Sequence, residues 1–335
     1  MSMSQFNNIR VILAEPNAQL RDSMLDCLND LGFRDAVPTG NMSRVAHAVQ
    51  HDEVDMIIAD TSLPEGDFND FVTELRHGHR GLNPFLVVVT LVSEPSRTAV
   101  QAAINSGTDH VLAKPFDAEA LLGKLNELVQ ARKRFVVTSD YIGPDRRAMK
   151  RTGSMEIPLI DVPNPLHYRL GGQVSDNQIK RNVDAAVLRI NEQKVQRHAY
   201  QVGWLLDSVM PEIAAMNQGL LDGDAENLKR LRDVAQDMCT RIKGTRYAHV
   251  AEMCLTLSRM ANQAACEGLC DQDMKLMGRM AGIVAYAFNP ERDVLAADYH
   301  RKARARGVSI VNDEADKDLT RKALTPMEVA AVAVG

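Results

Sequence analysis

The sequence is poor in aromatic residues, in cysteine and in long apolar runs. Phe, Trp and Tyr make up 4% of the 335 residues, and Trp204 is the only tryptophan. The five cysteines are widely scattered, which indicates reduced thiols rather than a disulfide framework. No stretch approaches the ~20 apolar residues of a membrane-spanning helix, and the N-terminus lacks the features of a signal peptide. We therefore expect a cytoplasmic protein without a membrane segment.

The sequence also lacks a strong excess of charge of one sign. Its formal net charge is −5, which gives no global attraction to nucleic acid or to an anionic membrane. Hydrophobic residues make up 45% and charged residues 25%, values that are ordinary for a soluble globular protein. At roughly 150 residues per domain, the length favours about two domains.

Short apolar runs alternate with helical patterns over roughly the first 130 residues. Four runs of strand length are Ile9–Ala14, Asp55–Ala59, Phe85–Val89 and His110–Ala113, and a weaker run, Ala36–Pro38, lies between the first two. Continuous apolar character favours strands that are buried on both faces, as in a parallel sheet covered by helices. Strands that alternate with amphipathic helices predict right-handed crossover units and a doubly wound sheet of five strands.

A polar residue follows each of the four stronger runs: Glu15, Asp60, Thr90 and Lys114. In a doubly wound sheet the carboxyl ends of the strands form the ligand-binding crevice. Two carboxylates in that crevice repel each other unless a cation lies between them, and hard oxygen ligands suit Mg²⁺. One carboxylate can then attack phosphorus, while Lys114 neutralises charge on the phosphoryl oxygens and Thr90 donates a hydrogen bond.

Several pieces of the sequence match the receiver domains of two-component response regulators in order, in spacing and in position at strand ends. They are Ala14-Glu15 after the first strand, Asp60-Thr61-Ser62-Leu63-Pro64 after the third, Thr90 after the fourth, and residues 107–116 around the fifth. Together these pieces are specific, and roughly the first 130 residues resemble that family.

The resemblance implies a flavodoxin-like α/β receiver domain over residues 7–132, with Asp60 as the phosphoacceptor. It makes Thr90 and Lys114 contacts of the phosphoryl group. It makes Glu15, Asp60 and the backbone carbonyl of Ser62 ligands of Mg²⁺. It also implies that a histidine kinase or a phosphotransfer protein donates the phosphoryl group.

Two positions depart from the family pattern. Pro16 stands where the family has a second acid that coordinates the metal, so we expect weakened Mg²⁺ binding. Val111 stands where the family commonly has an aromatic residue that rotates on phosphorylation. Both departures favour an alternative reading, in which the domain is a phosphorylation-independent pseudo-receiver and acts as a protein-interaction scaffold.

The rest of the chain is predicted to contain a linker, a helical domain and a tail. Prolines and glycines over residues 133–175 break any long periodicity and predict the linker. Apolar residues at helical spacing over residues 176–290 predict an all-α bundle of four or so helices, which serves output or dimerisation. In the tail, residues 291–335, the stretch Thr325-Pro326-Met327-Glu328 has the form of a capping box and predicts a short helix.

One stretch of the helical region, Arg241-Ile242-Lys243-Gly244-Thr245, faintly resembles histidine phosphotransfer domains. Those domains carry a phosphorylatable histidine three residues before the lysine, where this sequence has Thr240. No helix-turn-helix signature stands out, so protein interaction or homodimerisation is favoured over a DNA-binding transcriptional output. We predict a non-enzymatic response regulator of a phosphorelay, which accepts a phosphoryl group on Asp60 and transmits the signal through its helical domain.

Overall fold

An open parallel sheet organises the first third of the chain. The computed structural model describes residues 6–147, 157–171, 174–220, 225–245 and 247–288. The strands of the sheet are β1 (Arg10–Ala14), β2 (Asp35–Thr39), β3 (Met56–Asp60), β4 (Val87–Val92) and β5 (His110–Ala113). All pairs are parallel, and the strands lie in the order β2-β1-β3-β4-β5. The predicted doubly wound sheet of five strands is confirmed.

Helices cover both faces of this sheet. They are α1 (Ala18–Asp30), α2 (Met42–His51), α3 (Phe68–Arg76), α4 (Arg97–Asn105) and α5 (Ala118–Gln130). Because alternate residues of a strand point to opposite faces, Val11 and Leu13 of β1 pack with α1 and α5, and Ile12 packs with α2 and α3. Every residue of β3 and of β4 is buried, which explains the continuous apolar runs in the sequence.

The carboxyl ends of the strands form one edge of the sheet. Glu15 and Lys114 directly follow β1 and β5, and Asp60 is the last residue of β3. The fourth strand differs from the sequence-based expectation, because β4 continues through Thr90 to Val92. Thr90 therefore lies inside the strand rather than after it.

The segment predicted as a linker, residues 133–175, contains regular structure. An antiparallel hairpin is formed by β6 (Phe135–Val137) and β7 (Ile142–Pro144), and a short helix, α6 (Pro165–Gly171), follows it. A β-carbon on Gly143 would lie 2.8 Å from the α-carbon of Gly107. Gly143 therefore allows the hairpin to approach the sheet closely, a packing role that glycine can also have inside a strand.

Long helices make up the region after α6. Within the described residues these are α7 (Asp176–Asn217), α8 (Glu226–Arg241), a 3-10 turn (Ala248–Val250), α9 (Ala251–Glu267) and α10 (Asp271–Ala287). The helices α7 to α10 pack around one apolar core, here called the bundle core, whose residues run from Val195 to Phe288. The expectation of a helical region after the sheet is confirmed.

The first half of α7 belongs to a second apolar cluster. Here Val183, Ala186 and Ile190 pack with the hairpin residue Phe135 and with Phe85, which precedes β4. We call this cluster the hairpin core. It joins the helical region to the sheet at the amino ends of the strands, the edge opposite Asp60.

Buried ion pairs reinforce the same edge. The Asp109 carboxylate accepts hydrogen bonds from Arg76 Nη2 at 2.8 Å and from Arg132 Nε at 2.8 Å. Both guanidinium groups also lie over the Phe135 ring, with Cζ 5.3 Å and 5.2 Å from the ring centroid, a cation–π arrangement. Burial alone would raise the pKa of Asp109, but the charges of Arg132 and Arg76 outweigh it and lower the pKa. Asp109 is therefore a charged residue in the interior, paired with two arginines.

Polar contacts link the helical region to the sheet beyond the hairpin core. His77 directly follows α3, and its backbone carbonyl accepts a hydrogen bond from Arg241 Nη2 at 3.1 Å. Lys194 is buried and donates to the carbonyls of Thr138 and Ser139 in the hairpin turn, at 3.2 Å and 2.5 Å. Burial, followed by the nearby Arg241 charge, lowers the pKa of Lys194 to about 8. The helices, the hairpin and the sheet thus share polar as well as apolar contacts.

Three further sequence-based expectations concern the tail helix, membrane-spanning helices and the cysteines. The predicted tail helix at Thr325–Glu328 lies outside the described residues. In the part of the chain that the structure describes, no helix combines the length and the apolar character that a membrane crossing requires. All five cysteines are described, and each is a free thiol.

Candidate functional site

Asp60 is the centre of the polar group at the carboxyl edge. Asp60 is fully buried, yet both of its carboxylate oxygens accept hydrogen bonds. Oδ1 accepts hydrogen bonds from the backbone N–H of Ser62 at 2.6 Å and from the Ser62 hydroxyl. Oδ2 accepts a hydrogen bond from Ser93 Oγ at 3.0 Å and forms an ion pair with Lys114. A buried carboxylate requires such partners, because an unpaired charge in the interior is very costly.

Glu15 and Lys114 complete the charged group. Glu15 is buried, and its Oε2 forms an ion pair with the same Lys114 Nζ that contacts Asp60. Its Oε1 accepts a hydrogen bond from the backbone N–H of Asn17 at 3.0 Å. The peptide bond between Lys114 and Pro115 is cis. One ammonium group therefore lies between two carboxylates.

The protonation of these groups follows from their contacts. Burial by itself would raise the pKa of Asp60, but hydrogen bonds from Lys114 and Ser62 outweigh it and hold the pKa below its ordinary value. Burial would lower the pKa of Lys114, but its hydrogen bonds with Asp60 and Glu15 outweigh burial and raise the pKa. At neutral pH Asp60 is therefore ionised and Lys114 is protonated.

The structure brings together the sequence-predicted residues Glu15, Asp60, Ser62 and Lys114, but it places the Thr90 hydroxyl elsewhere. Thr90 is fully buried and donates a hydrogen bond to Thr108 Oγ1 at 2.8 Å. Two hydroxyl groups contact Asp60, those of Ser62 and Ser93, and Ser93 is not among the residues predicted from the sequence. A signal was present in the sequence, since the apolar run continues beyond Thr90 to Val92, and threonine is a favourable residue in a buried strand.

Residues 11–126 match the family model of the response regulator receiver domain. This part of the chain is a receiver domain. The match ends at residue 126, so it does not extend over the helices α6 to α10.

Named relatives of the receiver domain include single-domain and longer proteins. A probable chemotaxis protein CheY of Rhizobium etli is 24% identical over 131 residues, which are 39% of this chain and 100% of that protein. The response regulator protein PmrA of Pseudomonas aeruginosa is 30% identical over 123 residues, which are 36% of this chain and 53% of that protein. Among solved structures, the chemotaxis protein CheY4 of Vibrio cholerae is similar to 36% of this chain, with 97% of its own length covered, 24% identity and a TM-score of 0.32.

Receiver domains typically bind Mg²⁺ at their acidic pocket, so we compared the donors present with what this ion requires. Two carboxylates, those of Glu15 and Asp60, face the pocket, and the Lys114 ammonium already pairs with both. Pro16 contributes neither a side-chain ligand nor an N–H. Among the described residues no group of three or more His, Cys, Asp or Glu side chains could hold a metal ion. Since Mg²⁺ demands near-ideal octahedral oxygen coordination, this donor set fits the ion poorly.

Proposed function

We propose that the chain is a response regulator whose receiver domain accepts a phosphoryl group on Asp60 from a histidine kinase or a phosphotransfer protein. The observation that carries the proposal is the contact of Lys114 with the ionised carboxylate of Asp60 at the carboxyl edge of the sheet. Receiver domains interact with such phosphodonor proteins. They are generally signalling domains rather than enzymes.

The chain's own residues supply the chemistry of the transfer. The Asp60 carboxylate attacks the phosphorus atom of the donor, and an acyl phosphate forms as the bond between phosphorus and the leaving group breaks. The leaving group departs with the electron pair of that bond. Lys114 stabilises negative charge that develops on the phosphoryl oxygens, because a preorganised ammonium acts strongly in a site partly screened from water. The lowered pKa of Asp60 keeps the nucleophile ionised at neutral pH.

Labelling with a small phosphodonor tests the proposal directly. We expect the full chain to incorporate one acid-labile phosphoryl group per molecule from acetyl phosphate, on the peptide that contains Asp60. Peptide mapping by mass spectrometry, after trapping of the acyl phosphate by borohydride reduction, locates the site. Incorporation at another residue, or none at saturating donor, would reject phosphoryl acceptance by Asp60.

The weak fit of the pocket to Mg²⁺ leads to a mutational prediction. Pro16→Asp adds a carboxylate at the position where the family has its second acid, so Mg²⁺ should bind more tightly and labelling should become faster. We expect a gain of roughly 10-fold in the Mg²⁺-dependent rate, the scale of one charge-assisted contact. The wild type should label at a rate that EDTA changes little.

Pro16→Ala is the matched control, because it also restores the N–H and frees the backbone angle but adds no carboxylate. An equal gain in Pro16→Ala would assign the effect to the backbone. A wild-type rate that already depends strongly on Mg²⁺, with no gain in Pro16→Asp, would show that Glu15 and Asp60 suffice for the metal.

The helical region is proposed as the output or dimerisation domain. Its bundle core lies entirely between Val195 and Phe288. Trp204 on α7 and Ile283 on α10 are 63% and 46% exposed. We assign these two exposed apolar side chains to the proposed protein-interaction surface.

A pair of fragments tests this part of the proposal. We expect residues 172–290 and residues 193–290 both to fold, since each contains the whole bundle core, and both to self-associate. The longer fragment also exposes Val183, Ala186 and Ile190, which the hairpin covers in the full chain. Circular dichroism reports folding, and sedimentation reports association. Association of the longer fragment alone would trace to that uncovered surface and would count against a dimer through the bundle.

One structural observation adds to Pro16 and Val111 in favour of the alternative, a phosphorylation-independent pseudo-receiver that acts as a protein-interaction scaffold. Lys114 pairs with both carboxylates, so the pocket is already neutralised in part without a metal or a phosphoryl group. Under this alternative neither the wild type nor Pro16→Asp incorporates phosphate from acetyl phosphate. Both proteins still bind their protein partners, because that binding does not depend on phosphorylation.

A further inference from the structure

We infer that Ser93, and not Thr90, is the hydroxyl residue that contacts the phosphoryl group on Asp60, an inference that rests on the proposed function. Ser93 Oγ donates to Asp60 Oδ2 at 3.0 Å. Lys114 pairs with the same oxygen. Two side-chain donors, a hydroxyl and an ammonium, are therefore directed at the same carboxylate oxygen of Asp60.

The end of β4 explains why Ser93 occupies this place. The register pairs Asp60, the last residue of β3, with Leu91, and it pairs Val92 with Ala113, the last residue of β5. Ser93 thus follows the end of β4 in the same way that Lys114 follows the end of β5. Residues that follow strand ends lie at the carboxyl edge, where the crevice of a doubly wound sheet is found.

Thr90 occupies a different environment. It pairs with Ala59 on β3 and with Val111 on β5, one step before the level of Asp60. Its hydroxyl donates to Thr108 Oγ1 at 2.8 Å, inside the protein. To reach a phosphoryl group it would have to give up this buried hydrogen bond, and an unpaired buried polar group is costly.

Thr108 in turn is fixed by the backbone. Its Oγ1 lies 2.9 Å from the carbonyl of Val88 and 3.0 Å from the carbonyl of His110. The pair of threonines therefore ties β4 to the start of β5. This is a structural role, and it gives Thr90 a function that does not involve phosphate.

Ser93 and Lys114 each contact the Asp60 carboxylate before phosphoryl transfer and the phosphoryl group after it. When Asp60 attacks, a bond forms between one carboxylate oxygen and phosphorus, and the bond between phosphorus and the leaving group breaks with its electron pair going to the leaving group. The Ser93 O–H keeps its proton and turns from the carboxylate oxygen to a phosphoryl oxygen. Lys114 likewise keeps its proton and contacts a second phosphoryl oxygen.

The labelling rate of Ser93→Ala distinguishes two roles of the Ser93 hydroxyl: a contact with the phosphoryl group, and a contact with the unphosphorylated carboxylate only. A Ser93 hydroxyl that only capped the free carboxylate would make Asp60 a weaker nucleophile, and Ser93→Ala would label faster. A hydroxyl that contacts the phosphoryl group stabilises the transfer, and Ser93→Ala labels more slowly. Ser93 is exposed as a residue, so alanine is accommodated there without loss of the fold.

The test measures initial rates of labelling by acetyl phosphate in the full chain, with circular dichroism as the check of folding. We expect Ser93→Ala to slow labelling about 10-fold, Ser93→Thr to restore a rate near the wild type, and the near-isosteric Thr90→Val to label at the wild-type rate. The inference is overturned if Thr90→Val labels slowly while Ser93→Ala labels at the wild-type rate or faster. That result would not contradict phosphorylation of Asp60. A wild type that never labels overturns the proposed function itself, and the inference falls with it.

Discussion

Asp60→Asn is expected to reduce the incorporation of acid-labile phosphate to the background level with any competent phosphodonor. The substitution changes the volume of the side chain little, but it replaces the nucleophilic carboxylate by an amide that forms no acyl phosphate. Asp60 lies at the end of β3 and contacts Lys114, Ser62 and Ser93, a set of donors that no other carboxylate among the described residues has. The measurement is the stoichiometry of labelling by acetyl phosphate under native conditions.

Glu15→Gln is the matched control, since it removes the other carboxylate that pairs with Lys114. We expect it to retain labelling, because the nucleophile and its donors remain. Undiminished stoichiometry in Asp60→Asn would contradict the assignment of the phosphoacceptor. Loss of labelling in both variants, with Asp60→Asn unfolded by circular dichroism, would show damage to the fold rather than to the nucleophile.

Asp109→Ala is expected to lower the free energy of unfolding by about 3–5 kcal/mol, the range found when one partner of a buried ion pair is removed. The side chains of Asp109 and Arg76 are 1% and 0% exposed, and that of Arg132 is 3% exposed. The variant leaves two buried guanidinium groups facing each other without the anion between them. Urea denaturation followed by circular dichroism measures the change.

The charge of Asp109 also predicts a dependence on pH. Its pKa is lowered in the folded protein, so its contribution to stability is present above the ordinary pKa of an aspartate and is lost as the pH falls toward the lowered pKa. Asp109→Asn keeps the shape and one acceptor but removes the charge, so its loss of stability should be smaller than that of Asp109→Ala and should vary less with pH. An unfolding midpoint of Asp109→Ala equal to that of the wild type would show that the arginines find other partners.

The sequence allowed the sheet and the charged centre of the site to be predicted for a simple physical reason. A strand buried on both faces must be apolar throughout, so the runs that end at Glu15, Asp60 and Lys114 are visible without a structure. Polar residues directly after such runs lie at the carboxyl edge by geometry alone. The end of the fourth strand was predicted at Val89, three residues before its observed end at Val92. The polar Thr90 resembled a residue that follows a strand, but its hydroxyl is hydrogen-bonded inside the protein, to Thr108.

The hairpin could not be predicted in the same way. Its strands have three residues each, too few to show a period, and Gly143 and Pro144 are residues that ordinarily interrupt a strand. Gly143 is there because a side chain would collide with Gly107, a contact between segments far apart in the sequence. Long-range packing of this kind leaves no local pattern.

The attachment of the helical region to the amino ends of the strands has a consequence for the proposed signalling function. The hairpin core and the Asp109 ion pairs lie at one end of the sheet, and Asp60 lies at the other, separated by the length of a strand, about 16 Å at ~3.3 Å per residue. A phosphodonor protein that approaches the carboxyl edge meets Asp60 from the side opposite this attachment. Under the proposed function, a signal from Asp60 to the attached helices would have to act across the length of the sheet, as a long-range coupling.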